Sequence, residues 1–340
     1  MVLDTLLGEP VFWLAAFGGG AFAASIGALP AFVFTGFMVI AGEALGLGGY
    51  EPGEVPVDAI GEGLAGGGIT DLIGFGPIFG PHISFAAGAA AAAYAAKQGY
   101  IDDGKNIVDA LGTHNLDVLL VGGIFGLIGF VGTELFNFIG VPTDNIALMV
   151  FLSALIHRVV FGYSIIGEVY GDGIFDMSPA ERGEENAPGI WLPWQYKWSG
   201  VTAIGVIGGL LGGFVYLATG SGVLVFGISA ASLVILNAGI DNFPVTHHIT
   251  LPGSVGAFGA FAWLGSPEVA MVFAIIFGVF GALMGEVCNR VFYAHGATHV
   301  DPPAFGIFMA GFLATILAIA TGGEFAAFWA YPESLIGALP

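Results

Sequence analysis

Apolar stretches of about 20 residues recur along the whole chain, and this is the length at which an α-helix crosses the hydrocarbon core of a bilayer. Hydrophobic residues make up 56% of the 340 residues and charged residues only 9%, against roughly 25% charged in soluble domains. The sequence therefore predicts an all-α, polytopic transmembrane helical bundle and argues against a soluble enzyme domain. The predicted spans number ten, at 11–29, 30–48, 77–96, 117–139, 145–168, 200–219, 222–240, 248–264, 268–293 and 303–321.

The charged residues are mostly acidic, with 26 Asp and Glu against 6 Lys and Arg and a formal net charge of −20. Polar segments this acidic are typical of proteins from a high-salt organism, so we predict a halophilic archaeal source. An acidic chain has no basic patch for a phosphate backbone, and we expect no nucleic-acid partner. The acidic residues between the spans include Glu51, Glu54, Asp58, Asp102, Asp103, Glu181, Glu184 and Glu185.

The few basic residues predict the orientation under the positive-inside rule, by which loops rich in Lys and Arg face the cytoplasm. With ten spans, the basic residues near span ends fall on one side, which we predict to be the cytoplasmic side of the plasma membrane. Both termini are then outside. The N-terminus lacks the positive region of a signal peptide, so we expect the first apolar stretch to be a retained span. The orienting residues are Lys97, Lys105, Arg182, Lys197 and Arg290.

Matching landmarks occur in the same order in the two halves of the chain. Residues 69–85, ITDLIGFGPIFGPHISF, parallel residues 239–251, GIDNFPVTHHITL, and residues 125–137 parallel residues 277–289 at a constant offset of 152. Ordered matches with polar residues in register predict a gene duplication. The paired residues are Asp71 with Asp241, His82 with His248, Glu134 with Glu286, Asn137 with Asn289, and Asp144 with Asp301.

Five spans in each half are an odd number, so the second copy must enter the membrane upside down. Inverted repeats of this kind form solute sites near the bilayer midplane, at the repeat interface and often on interrupted helices. We predict a first five-span repeat at 1–168, a cytoplasmic linker at 169–198, a second five-span repeat at 199–321 and a C-terminal tail at 322–340.

Two segments rich in Gly and Pro are predicted to be broken or re-entrant helices, because these residues interrupt helical hydrogen bonding. One is the stretch 61–80 and the other precedes His247. Irregular backbone at membrane depth is tolerated where it lines a wet cavity, and His82, His247 and His248 beside it could gate a path or move protons. The alternative is that these histidines cap helix ends and bond backbone carbonyls.

Carboxylates in or beside the spans are further candidates for a substrate path. Glu134 and Asn137, like Glu286 and Asn289, are three residues apart and share a helical face, where their oxygens suit a hard cation. The alternative is that Glu286 merely pairs with Arg290 one turn on.

Asp71 and Asp241 are candidates for the same path, since a carboxylate at membrane depth is costly without a partner. The alternative is that both are N-caps of the broken helices.

Arg158 lies inside the fifth span beside His157, and we predict that it forms an intramembrane ion pair. Glu134, Glu168 or an acidic residue of another span would supply the counter-charge. The alternative is that Arg158 selects an anion or repels cations in a pore.

The segment HGATHVD offers weak candidates for a metal site, namely His295, His299 and Asp301. Gly296 and the prolines that follow favour a loop there, so the cluster could be incidental. The lone Cys288 excludes a disulfide framework or a cysteine metal cluster, and no cofactor is predicted.

The layout of two five-span halves, with FGPIFGPHI and NFPVTHHITLP at comparable broken-helix positions, resembles the urea transporter family and, more distantly, ammonium channels. The LPxxTxPF-type signature of the urea family is absent from both halves, so no site residues are carried over. The whole sequence is also similar to an uncharacterised prokaryotic multipass membrane family, which implies no activity.

These observations predict a non-enzymatic transporter or channel that moves a small solute along the interface of two inverted repeats. Carboxylates outnumber basic residues in the spans, which favours a cation or a proton-coupled substrate. The alternatives are a channel for a neutral polar solute, a non-transporting membrane scaffold or assembly subunit, and an intramembrane metalloenzyme. Membrane lipid is the expected surrounding partner, and a homo-oligomer is compatible with the apolar surface.

Overall fold

The computed structural model describes residues 8–47, 67–108, 110–185 and 187–328. The acidic residues Glu51, Glu54 and Asp58 and most of the predicted C-terminal tail lie outside these ranges. Within them the chain is helical and contains no β-strand, which confirms the prediction of an all-α protein.

A main helix overlaps each of the ten predicted spans in the described part of the chain. Residues typical of helix ends set the boundaries of these helices. For example, Gly140 ends one helix with a φ of 70°, and Asp144 caps the next helix by accepting a hydrogen bond from Ala147 N at 2.8 Å. The main helices are α1 Pro10–Ile26, α2 Ala28–Leu47, α3 Ser84–Lys97, α4 Asp117–Ile139, α5 Asn145–Phe161, α6 Trp198–Thr219, α7 Leu224–Ala231, α8 His247–Leu264, α9 Pro267–Cys288 and α10 Pro302–Ala320.

Short helical turns accompany these helices. They are α-helical Gly67–Ile69 and π-helical Thr70–Gly74 before α3, 3₁₀-helical Ala110–Thr113 before α4, Ser178–Glu181 in the linker, Val234–Asn237 after α7, and π-helical Asn289–Tyr293 after α9. The chain between Thr70–Gly74 and α3 is irregular, as is the chain between Val234–Asn237 and α8. The backbone is therefore interrupted at both of the places where Gly and Pro accumulate.

Five helical segments of the described chain are long and apolar enough to cross a bilayer. These five segments fit the predicted membrane class, whereas ten crossings stay a prediction. The five segments are Ala28–Gly46, Asp117–Ile139, Trp198–Thr219, Pro267–Tyr293 and Pro302–Ala320.

Each half of the chain contains three helices packed on one another, α1 with α3 and α4 in the first half and α6 with α8 and α9 in the second. Glycine permits the closest approaches. A Cβ on Gly20 of α1 would clash with the carbonyl oxygen of Gly122 of α4, and one on Gly209 of α6 would clash with that of Ala274 of α9. Small residues at such crossings let two helix backbones touch.

Two helix pairs join the halves, α2 with α7 and α5 with α10. Thr143, just before α5, donates from Oγ1 to the carbonyl of Phe308 in α10, and Arg158 near the end of α5 bonds Thr298 just before α10. The α5–α10 pair therefore runs antiparallel over most of its length.

Candidate functional site

A cavity of about 910 Å³ lies between the two halves, lined by residues of both. This volume is in the range of small-molecule sites. Its walls come from the inner faces of α2, α4, α5, α7 and α10, from the irregular segment before α3, and from the first turns of α3 and α8. The cavity is thus built where the broken segments meet the helices that join the halves.

The ionisable side chains that line this cavity are carboxylates and histidines. The described lining residues include no Lys and no Arg. When ionised, five carboxylates without a lining cation give a cavity a negative potential, which raises the local concentration of cations. The carboxylates are Glu43, Asp71, Glu134, Asp144 and Asp301, and the histidines are His82, His247 and His299.

Glu134 is a buried carboxylate of this lining, and one of its oxygens has no hydrogen bond. It projects from the last turns of α4, is 9% exposed, and its Oε2 atom has no hydrogen-bond partner. The hydroxyl of the neighbouring Thr133 is buried and unpartnered as well. Because a buried carboxylate without a partner is costly, this position suits a ligand that supplies a positive charge or a hydrogen-bond donor.

Asn137 lies one turn further along α4 and also lines the cavity. Its side-chain carbonyl accepts a hydrogen bond from Asn145 Nδ2 at 2.9 Å, across the turn that joins α4 to α5. The structure therefore brings Glu134 and Asn137 together at the same end of the cavity.

Glu286 and Asn289 have different contacts from Glu134 and Asn137, with which the sequence pairs them. Glu286 Oε1 lies 2.6 Å from Arg290 Nε, and the two side chains are only 2% and 8% exposed. Asn289 donates to Glu286 Oε2 at 3.1 Å and accepts from the backbone N–H of Trp191 at 3.3 Å. Neither residue lines the cavity. Glu286 instead forms the ion pair with Arg290 that the alternative interpretation predicts.

The linker between the halves covers part of the cavity, where Trp191 and Leu192 belong to the lining. Gln195 holds it to the irregular segment before α8, since its Nε2 donates to the carbonyl of Val245 at 2.9 Å and its Oε1 accepts from the N–H of Val245 at 3.0 Å. The bonds of Gln195 to Val245, together with the bond of Trp191 to Asn289, therefore position the linker at this cavity.

The candidate histidines fall into two groups. His82 and His247 line the cavity, and the Nδ1 atom of each is buried without a hydrogen-bond partner. His248 is buried behind them, with its ring centroid 6.0 Å from that of Trp191. These three residues follow the two broken segments, as the sequence predicts, but His248 stays outside the lining.

Asp71 and Asp241 are separated in the structure. Asp71 lies in the π-helical turn Thr70–Gly74, is exposed, and borders the cavity. Asp241 is exposed in the loop before α8 and does not line the cavity. The N-cap positions are Ile69 for that turn and Thr246 for α8, so neither aspartate has the capping role considered above.

Two aspartates at helix starts line the cavity in equivalent roles. Asp144 caps α5, and Asp301 caps α10 by accepting a hydrogen bond from Ala304 N at 2.9 Å. Asp301 also faces His299, whose Nε2 lies 3.3 Å from its Oδ1.

The weak metal candidates do not converge. His295 bonds the linker, accepting from the N–H of Tyr170 at 3.4 Å with Nδ1 and lying 3.1 Å from the carbonyl of Ile174 with Nε2. In the part of the chain that the structure describes, no three His, Cys, Asp or Glu side chains are placed to hold a metal ion.

Arg158 is fully buried, but its partners are not carboxylates. Its Nε atom donates to Thr298 Oγ1 at 2.8 Å and its Nη2 atom to the carbonyl of Thr298 at 2.8 Å, with a third bond to the carbonyl of Ile165. None of the ion pairs formed by described residues includes Arg158. The predicted intramembrane ion pair is therefore replaced by a set of carbonyl and hydroxyl acceptors.

Residues 1–329 match a family described as a family of unknown function (DUF7973). The chain belongs to DUF7973. No curated protein and no solved structure matches the chain. Membership of DUF7973 agrees with the predicted similarity to an uncharacterised family, whereas the resemblance to the urea transporter layout stays a prediction.

One cavity residue of this DUF7973 member was missed by sequence reasoning. Glu43, near the end of α2, accepts hydrogen bonds from Thr70 Oγ1 at 2.9 Å and from Ser221 Oγ at 2.6 Å. It thereby joins the first half to the turn between α6 and α7. The sequence contained a signal for Glu43, because it lies inside the predicted span 30–48 and a carboxylate inside a span is a functional candidate by default.

Proposed function

We propose that this protein is a transporter or channel for a small cationic solute in the plasma membrane, with its path at the interface of two inverted five-span repeats and both termini outside. The observation that carries the proposal is the cavity between the halves, whose described lining has five carboxylates and neither Lys nor Arg.

The packing of the two halves supports an inverted repeat. Gly129 of α4 lies against the carbonyl of His82, and Gly281 of α9 lies against the carbonyl of His248. These glycines are 281 − 129 = 152 residues apart, the same separation as Glu134 and Glu286. Equivalent helices therefore meet the chain at equivalent places, just after the broken segment of each half.

The direction of the helices supports the inversion itself. α5 and α10 occupy the last position of each five-helix set and run antiparallel to one another. If both cross the bilayer, the two halves have opposite orientations, as inverted-repeat transporters require.

The distribution of charge supports a cation path. Glu134 and Asp144 lie beside the α4–α5 turn, and Glu43 bonds Ser221 in the α6–α7 turn; both turns line the cavity. Under the positive-inside rule both turns face outside. An acidic entrance there would attract cations, and the partnerless Glu134 would bind the solute.

Glu134 and Glu286 would have different roles in the two copies of the repeat. In the first half the carboxylate is free at the cavity, and in the second half Arg290 neutralises it and the linker packs over it. Of these two equivalent residues, only Glu134 would bind a cation.

Purified full-length protein in liposomes tests the proposal through currents evoked by concentration jumps of K⁺, Na⁺ or butylammonium. Replacement of the cavity carboxylate, Glu134→Gln, should lower the current roughly tenfold or more, since this corresponds to only about 1.4 kcal/mol of lost binding. Asp241→Asn is the matched control, because Asp241 is exposed outside the cavity, and its current should stay near wild type.

Two results would contradict this proposal. One is the absence of current for all three cations, together with urea uptake in the same liposomes, which would favour a neutral-solute channel. The other is equal current in Glu134→Gln and wild-type protein, which would remove Glu134 from the path.

A further inference from the structure

A continuous aromatic wall forms one side of the cavity. The ring of Phe226 lies between those of Phe75 and Phe32, with centroid distances of 5.5 and 5.8 Å, and Phe32 in turn lies 5.8 Å from Phe85. All four rings line the cavity. They come from the broken segment, α7, α2 and α3, so the wall exists only where both halves are assembled.

Histidines border this wall at two points. The ring centroid of His247 lies 4.7 Å from that of Phe32, and the centroid of His299 lies 5.4 Å from that of Phe85. Asp301 follows beside His299. The cavity therefore combines an aromatic apolar surface with buried hydrogen-bond acceptors and carboxylates, of which Glu134 has an unpartnered, buried oxygen.

This lining does not suit a bare inorganic cation. Hard cations require six to eight oxygen ligands for Ca²⁺ and near-octahedral oxygen geometry for Mg²⁺. Among the described residues no three acidic or histidine side chains are grouped for a metal ion, and phenylalanine rings cannot replace a hydration shell. A cavity of about 910 Å³ is also far larger than a dehydrated ion needs.

The same lining suits an organic cation. A ring face attracts an ammonium group within about 6 Å of its centroid, and the attraction is larger when the site is shielded from water. Alkyl substituents pack on the same rings through the hydrophobic effect. A carboxylate oxygen and unprotonated histidine nitrogens accept hydrogen bonds from N–H groups.

We infer that the solute is a small alkylammonium ion, whose ammonium group is attracted by Glu134 and by the ring faces of the wall, and whose alkyl part packs on the same wall of Phe32, Phe75, Phe85 and Phe226. The inference rests on the proposed function and names the substrate class of the same site.

Binding to purified full-length protein in detergent tests this inference without any flux. The probe is butylammonium, its uncharged counterpart is butan-1-ol, and the inorganic competitor is K⁺. Trp191 lines the cavity, so a change in tryptophan fluorescence that is absent in Trp191→Phe reports occupancy, and calorimetry measures the affinity. Wild-type protein should bind butylammonium, should not bind butan-1-ol at equal concentration, and should keep butylammonium when K⁺ is added at constant ionic strength.

Two variants separate the aromatic wall from general packing. Phe32→Leu keeps an apolar side chain and removes a ring, and it should weaken butylammonium binding roughly tenfold, which is about 1.4 kcal/mol and within the range of a shielded cation–π contact. Phe308→Leu is the control, since Phe308 is equally buried in a ring cluster and does not line the cavity. Its affinity should equal that of wild-type protein.

The outcomes distinguish this inference from the proposed function. K⁺ current with no butylammonium binding would overturn the alkylammonium class and leave cation transport intact. Butylammonium binding with no current would support the site and contradict transport. Equal affinities in Phe32→Leu and Phe308→Leu would overturn the role of the wall.

Discussion

The rings of Phe151 and Phe308 pack against each other with their centroids 5.5 Å apart, and each is the seventh residue after the aspartate that caps its helix. Asp144 and Asp301 are those caps, and the sequence already pairs them. In a two-fold arrangement, a residue near the axis contacts its own counterpart. The contact therefore supports a pseudo-two-fold axis that passes between α5 and α10.

The same reciprocity occurs between α2 and α7. A Cβ on Gly36 would meet Ala230 and Ala231, and a Cβ on Gly227 would meet Val39 and Ile40. The separations are equal, since 227 − 36 = 191 and 230 − 39 = 191. The two helix pairs that join the halves thus share one symmetry.

Replacement of Arg290 by Met should destabilise the protein, because it leaves the carboxylate of Glu286 buried without its cation. Breaking a buried ion pair from one side costs about 3–5 kcal/mol, so the melting temperature in detergent should fall clearly. Glu286→Gln should cost less, since the amide still hydrogen-bonds with its neighbours. The double variant Glu286→Leu with Arg290→Met should recover most of the loss, and a double variant no better than Arg290→Met would contradict this account of the pair.

Gly129→Ala and Gly281→Ala should both destabilise the protein, because the added methyl group meets a backbone carbonyl oxygen, that of His82 in the first case and that of His248 in the second. Overpacking of this kind costs about 1–3 kcal/mol. Gly200→Ala in α6 is the control, since no atom lies within 4 Å of the added Cβ, and it should be neutral or gain up to about 1 kcal/mol. Thermal melting of the three variants in one detergent measures the difference. Damage from only one of the first two would argue against equivalent packing.

The linker should loosen in acid. The backbone N–H groups of Asp172 and Ser178 donate to the carboxylate of Asp176 at 3.0 and 2.9 Å, and these bonds lower its pKa to about 2. A carboxyl whose pKa is depressed by folding stabilises the fold above its unfolded pKa of about 3.9 and loses that contribution as the pH falls toward 2.

Limited proteolysis of the linker checks this expectation. Asp176→Asn should be cut faster than wild-type protein at pH 7, where the wild-type carboxylate is ionised, and the two should converge near pH 2 with an acid protease. A constant difference between them at both pH values would show that ionisation of Asp176 does not hold the turn.

The helices were largely predictable because apolar length and Gly/Pro punctuation are local signals. All ten predicted spans overlap helices, but some helices begin or end several residues away from the predicted boundary, where the backbone conformation interrupts the helix. The fifth predicted span runs to residue 168, whereas α5 ends at Phe161 because Gly162 adopts a φ of 73°. The third was predicted from residue 77, whereas α3 begins at Ser84 after the irregular segment.

The site was less predictable because it depends on which polar groups find partners in three dimensions. The sequence pairs Glu134 with Glu286 as equals, yet only Glu286 has an arginine four residues on, and Phe138 occupies the corresponding place after Glu134. Arg158 obtains its acceptors from Thr298, 140 residues away. The aromatic wall combines rings from four separate segments, and no periodicity in the sequence relates them.

The opposite orientation of the two halves is the claim on which the path, the cavity and the charge asymmetry depend, and single-cysteine labelling tests it directly. The background variant has the buried Cys288 replaced by Ser. In it, Gln98→Cys reports the side of the membrane on which the loop after α3 lies, and Glu268→Cys reports the side for the start of α9, just after the turn that ends α8. Both native residues are exposed. α3 and α8 are the equivalent helices of the two halves. A membrane-impermeant maleimide applied to intact cells should label Glu268→Cys at once and Gln98→Cys only after permeabilisation, whereas labelling of both from the same side would contradict the inverted repeat.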